Sequence, residues 1–266
     1  MAQTGNLITA SQQHSVKEAV ITFSLTPKLS NLSDYENLLA EGAPLYGKYH
    51  KFEPVIVQEI NVNPRLNQTE IKGSKDRGFK IIKFESGKTS DIIQAIPQPT
   101  QTLLTFNTVN YNGWSNYLKD SIDAAKAISG VDSKYLVESL GVMFVDEFYF
   151  QEHSTYKPTE IFNLNSSSLP KSIFESDFTD YNLSNHKKKS GFDYMENISV
   201  QVFNDTEIGR KVIRITGNIM SFVSPVSFSE ALNSDDMLKY LNFAHDENKN
   251  MLRSILSYEA LKMIGL

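Results

Sequence analysis

Between Gln101 and Phe150 the spacing of apolar positions changes twice, and each change marks an element. Leu103-Leu104-Thr105-Phe106-Asn107-Thr108-Val109 is β-branched and aromatic, and Asn110-Tyr111-Asn112-Gly113 supplies turn chemistry at its end, so an extended strand is predicted. Trp114, Tyr117, Leu118, Ile122, Ala125 and Ile128 then recur at three and four, with Asn116, Lys119, Asp120, Asp123 and Lys126 opposite them. That is one apolar stripe on a helix, with Asn112 or Gly113 as its N-cap and Gly130 as a left-handed stop. From Tyr135 to Phe150 the period drops to two. Leu140, Val142, Phe144, Phe148 and Phe150 share one side, and Val137, Ser139, Gly141, Met143 and Val145 share the other. A strand apolar on both faces belongs in the middle of a sheet, and the sole tryptophan, opening the helix, is expected to be mostly buried against it.

The same reading extends along the chain. Val16 to Leu25 is a strand, Ser33 with Glu36 is a capping box for a short helix, and Val55 to Val62 is a second strand. Asn63 to Arg77 is polar and reads as a loop or hairpin tip. Gly78 to Glu85 and Asp91 to Ile96 follow, joined by Ser86-Gly87-Lys88, which is too short for a parallel crossover and predicts an antiparallel meander. Tyr194 to Asn204 and Arg210 to Val223 form another hairpin, with Gly217 a bulge or a point of close approach. Asn233 or Ser234 caps a C-terminal helix striped by Met237, Leu238, Leu241, Ala244, Met251, Leu252 and Ile255, and Ser257 caps a last short one. Two stretches lack pattern: Met1 to Gln13, expected to be a loose arm, and Gln151 to Ser190, expected to be irregular.

These elements predict an α+β fold, a largely antiparallel sheet with amphipathic helices packed on one face, and an order that allows two similar halves. One division is 1–150, sheet plus helices, and 151–266, an irregular segment with further strands and the terminal helix; the alternative is one compact domain over 14–266.

Composition narrows the class. A content of 40% hydrophobic residues supports a sizeable core, while a net charge of −5 argues against nucleic-acid binding through overall charge. With zero cysteines there is no disulfide framework and no thiolate chemistry. No basic start with an apolar run opens the chain and no apolar stretch is of membrane-spanning length, so a cytoplasmic protein without a membrane is expected.

Candidate chemistry is sparse. Asp146, Glu147, Glu152 and His153 gather at the end of the long strand, and carboxylates with an imidazole are the donor types that hold a divalent metal for hydrolysis. Alternation works against them, since Glu147 and His153 fall on one face and Asp146 on the other. Lys187, Lys188 and Lys189, beside His186, are candidate nucleic-acid contacts, although three lysines in a polar loop are more often solvated surface. No glycine-rich phosphate cradle is present, and no cofactor is expected.

The strand Val16 to Leu25, the passage from Pro44-Leu45-Tyr46 to Pro54-Val55, the Asn112-Gly113-Trp114 helix start with the long strand from Leu136, and the ending Leu241 to Leu261 together resemble a sporadically distributed family of uncharacterised prokaryotic proteins of about 260 residues. In that family the long strand carries an arginine near its start, where this chain has Glu138 and Ser139. The resemblance implies scattered, mobile-element-like occurrence and no reaction. The expectation is a non-catalytic interaction or accessory protein, a subunit or regulator in a mobile-element, toxin–antitoxin or anti-phage module, whose partner is another protein encoded nearby. The alternatives are a metal-dependent hydrolase or nuclease, and a small-ligand binder with an apolar pocket under the Trp114 helix.

Overall fold

The computed structural model describes residues 3–4, 7–11, 14–63, 68–150 and 155–266. In chain order these form β1 (Gln3–Thr4), β2 (Leu7–Thr9), β3 (Val16–Thr26), α1 (Leu32–Glu36), β4 (Lys51–Asn63), β5 (Gln68–Glu85), β6 (Lys88–Pro97), β7 (Thr102–Thr108), α2 (Trp114–Ser129) and β8 (Leu136–Phe150). After these come α3 (Pro158–Ile161), β9 (Thr179–Lys189), β10 (Phe192–Asp205), β11 (Arg210–Ser227), α4 (Phe228–Leu232), α5 (Asp235–Ile255) and α6 (Tyr258–Met263). The chain is α+β, with a large antiparallel sheet and helices packed against it. Among the described residues no helix is long and apolar enough to cross a membrane.

The chain forms two compact units, each assembled from separate stretches of sequence. One takes Ile21–Leu140 and Val223–Met237. Its strands run in the order β4-β5-β6-β7-β3, and their buried positions, Phe79, Ile81, Ile93, Ala95, Leu104, Phe106, Ile21, Phe23 and Leu25, form a continuous core. Helix α2 seals that core with Tyr117, Ile122, Ala125 and Ile128, and the Tyr117 hydroxyl donates to the Phe106 carbonyl at 2.6 Å. Phe228 of α4 completes it, stacking edge-on to Phe23 at 5.2 Å while its amide donates to the Tyr135 carbonyl at 2.8 Å.

The other unit takes Met1–Val20, Gly141–Phe222 and Leu238–Leu266. Its order is β8-β11-β10-β9, and Leu7–Thr9 adds to β8 opposite Phe150, Tyr149 and Phe148. Phe148, Phe150, Ile198, Val200, Ile213 and Ile215 meet Met251, Leu252 and Ile255 of α5 in the core. Gly217 is where helix and sheet come closest: a Cβ there would lie 2.2 Å from the Met251 Cε and 2.3 Å from the Asn248 Oδ1. The order of elements is the same twice. An opening strand (β3 or β8) lies beside the last strand of a meander (β7 or β11), and a long amphipathic helix (α2 or α5) follows.

Several expectations change. The amino-terminal segment is not a loose arm where it is described, because β2 is hydrogen-bonded to β8. The segment after residue 154 is not irregular throughout: α3 and β9 lie within it, and β9 pairs with β10 along its whole length. Ser190 and Gly191 join them at φ 53° and 82°, the paired positive dihedrals of a two-residue hairpin turn. The expected tip at Asn63 to Arg77 is mostly strand, with Gln58 to Asn63 paired to Gln68 to Gly73; residues 64–67 lie outside the described residues. Ser33 does not cap α1, whose N-cap is Asn31 in the left-handed region, and Gly130 ends α2 at φ −71° rather than left-handed. Ser257 does cap α6, accepting from the Ala260 amide at 3.2 Å. Trp114 is only partly buried, its ring tilted against Tyr117 with centroids 6.1 Å apart, because the stripe that faces the core is centred on Tyr117, Ser121 and Ala125.

Candidate functional site: an acidic cleft beside α2

Of the four candidate metal ligands, the two that lie among the described residues, Asp146 and Glu147, do not converge. Asp146 and Glu147 are successive on β8 and so point to opposite faces. Asp146 shares the face of Phe148 and Phe150, fully buried, where the Ser15 hydroxyl donates to its Oδ1 at 2.5 Å and its Oδ2 has no hydrogen-bond partner among the described residues. Burial there pushes its carboxyl up to about 6, against the opposing effect of the Ser15 hydrogen bond. Glu147, on the other face, is clasped by Arg214 through Nε at 2.8 Å and Nη2 at 2.7 Å and takes the Tyr149 hydroxyl at 2.5 Å. This is a fully engaged carboxylate with structural partners. Glu152 and His153 lie outside the described residues, and among the described residues no group of three or more metal-ligating side chains gathers.

The three lysines belong to a strand rather than a loop. Lys187 Nζ lies 2.5 Å from Glu196, Lys188 Nζ 3.0 Å from Asp193 and Lys189 Nζ 2.6 Å from Glu247, so each already faces a carboxylate of its own chain. His186 also pairs with Asp193. His245, partly screened by Phe144, is pushed down to about 4 by burial and by Lys249, with Asp246 opposing.

The concave site lies elsewhere, in the unit built on Ile21–Leu140. A cleft of about 480 Å³ runs between α2 and the segment from Pro44 to His50, floored by Lys83 of β5 and Asp91 of β6. A smaller recess of about 50 Å³ adjoins it, sharing Tyr49, Lys83, Asp91 and Asp120 and reaching Glu85, Phe106 and Tyr117. Lys83 sits between Glu85 at 2.7 Å and Asp91 at 3.1 Å, and the Ser90 hydroxyl donates to Asp91 at 2.8 Å. Partial burial works against the Lys83 charge, but the two carboxylates hold its ammonium above the ordinary range. Tyr49 and Tyr117 form the less polar wall, and burial raises both phenols above their usual range, with Asp91 adding to each.

The cleft and its recess carry more negative than positive charge. Glu85, Asp91, Asp120 and Asp123 line it against Lys48 and Lys83, and Lys83 is already committed to Glu85 and Asp91. Asp120 and Asp123 are exposed, one helical turn apart on α2, and form no ion pair within 4 Å among the described residues. The arrangement can receive one positively charged or multiply hydrogen-bonding group, held by carboxylates beside Tyr49. From sequence Asp120 and Asp123 read as the solvated side of a helix; nothing in their spacing announces the partners brought from β5, β6 and the loop before β4. Beneath the Trp114 helix, Phe106, Tyr117, Ile122 and Ala125 are buried. No protein-family model, curated protein or solved structure matches the chain.

Proposed function

We propose that this is a non-catalytic interaction protein that recognises a basic side chain of another protein in the cleft beside α2. One observation carries the reading: two exposed carboxylates, Asp120 and Asp123, border a cleft whose central lysine is already neutralised. A lysine or arginine from a partner supplies the missing charge, and the Tyr49 ring offers it a face. The resemblance to a scattered prokaryotic family suits an accessory subunit or regulator in a mobile-element or anti-phage module, with its partner encoded nearby.

The test is copurification with the products of neighbouring genes, comparing the natural chain with an Asp120→Asn, Asp123→Asn variant. Both side chains are exposed, so the unfolding free energy of the variant should stay within about 0.5 kcal/mol of the original. Partner capture should fall at least tenfold, more steeply at low salt. A chain that remains alone at physiological concentration, or capture indifferent to both substitutions, removes the proposal.

A second reading uses the same cleft for a small organic cation such as a polyamine, since about 480 Å³ is within the range of small-molecule sites. Calorimetry of the isolated protein with spermidine separates the two: micromolar binding that the double variant loses favours the small ligand over a protein partner.

A further inference from the structure

Strand β9 is an edge. It pairs with β10 through all eleven of its residues, and among the described residues no strand occupies its other side. Exposed edges are ordinarily guarded by proline, by charged side chains, lysine above all, or by a bulge. The edge strand β4 carries such a guard in Pro54. β9 has no proline, its pairing with β10 runs without a bulge, and its middle, Tyr181-Asn182-Leu183-Ser184-Asn185, is uncharged. Its charges are sorted to the ends: Asp180 at the start, and Lys187, Lys188 and Lys189 at the finish.

That polarity is self-complementary. Two antiparallel copies of Thr179–Lys189 that pair all eleven residues must be centred on Ser184, the midpoint of the strand. Side chains opposite each other then share a face, as the two-residue period requires. Ser184 meets Ser184, Asn182 meets His186, and Asp180 meets Lys188. Within one chain Asp180 accepts from the Asn182 side-chain amide at 3.3 Å and forms no ion pair among the described residues, although Arg214 lines the same hollow. Lys188 is the most exposed of the three lysines, at 76% of its side chain, and its carboxylate Asp193 is also paired with His186, so turning outward exchanges one carboxylate for another and leaves Asp193 with His186.

We infer that β9 is a homodimerisation edge, joining two copies of this chain about a two-fold axis through Ser184. The inference does not depend on the acidic cleft, which lies in the other unit. Two-fold dimers reuse one surface twice, and a strand with opposite charges at its ends is such a surface.

The absence of cysteine makes the test direct. Sedimentation of the natural chain should show a mass double its 30.1 kDa, returning to the monomer value in high salt or on Asp180→Lys. Combining Asp180→Lys with Lys188→Asp should restore the dimer. Under mild oxidation Ser184→Cys should form a covalent dimer, because residues directly opposite across an antiparallel pair stand about 4.5–5.5 Å apart, within disulfide reach. Asn182→Cys, opposite residue 186 rather than itself, should not. Circular dichroism confirms that each variant remains folded. A natural chain that sediments as a monomer up to hundreds of micromolar, cross-linking equal at both cysteine positions, or a dimer untouched by charge reversal would each overturn the inference.

Discussion

Asp146 and His245 are both buried and both titrate away from their usual ranges, but they tilt stability in opposite directions. Asp146 keeps its proton in the folded chain up to about pH 6, whereas the unfolded chain loses it near the ordinary aspartate value of 3.8. Its contribution is therefore complete at low pH and declines as pH rises through that window. Asp146→Asn, which retains an acceptor for Ser15, should raise the unfolding free energy at pH 7 by up to about 3 kcal/mol, and by much less at pH 4. His245, neutral when folded down to about 4 and unperturbed near 6.5, gives stability that is present above pH 6.5 and lost as pH falls toward 4. His245→Leu should flatten that acid limb. Urea unfolding of the two variants at a series of pH values separates the slopes. Trp114→Ala, which a buried indole would make costly, should instead lower stability by only about 1–2 kcal/mol, because the ring is partly exposed. Denaturation followed by circular dichroism reads this directly, and a loss of 4 kcal/mol would show the ring to be core.

At the scale of elements, what the sequence conveys depends on how much of its pattern comes from burial. β8, α2 and α5 carry dense apolar repeats because they lie against a core, and they are legible from spacing alone. β9 has only Tyr181 and Leu183 to offer on its inner face, so its alternation is one of half-buried against exposed and disappears in polar sequence. β2, three residues long, owes its existence to a partner more than a hundred residues away. The cleft is illegible for the same reason: Tyr49, Lys83, Asp91 and Asp120 come from four separate stretches, and no local spacing relates them. Two substitutions probe the elements that were read least and best. Ser190 occupies a left-handed position that asparagine tolerates better, so Ser190→Asn should stabilise the β9–β10 hairpin by about 0.5 kcal/mol, visible as a raised denaturant midpoint. Gly217→Val should cost about 1–3 kcal/mol or more, since its side chain must displace Met251 and the Asn248 amide, which donates to the Ala244 carbonyl at 3.2 Å. If Gly217→Val unfolds no earlier than the natural chain, α5 does not approach β11 as closely as described.

For the molecule as a whole, the order of elements that allowed two similar halves recurs in the two units, and their core positions are filled by different residues. Neither unit is a continuous piece of chain. The one built on Ile21–Leu140 takes its last stretch from Val223–Met237, including Phe228, whose ring packs on Phe23. A fragment ending at Leu140 should therefore lack a cooperative unfolding transition, and adding a peptide covering Val223–Met237 should restore part of it; a fragment that unfolds sharply by itself would show that α4 is dispensable.

That borrowed stretch also sets a schedule for biosynthesis. Leu140 leaves the ribosome with its unit still missing Phe228, and 88 further residues must be translated before that ring appears, some 4–18 seconds at about 5–20 residues per second. During this interval Phe23 and its neighbours have no permanent cover on that side, so a nascent-chain holdase has its longest opportunity there. Slowing elongation between codons 141 and 222 should increase aggregation of the newly made chain far more than slowing it after codon 240.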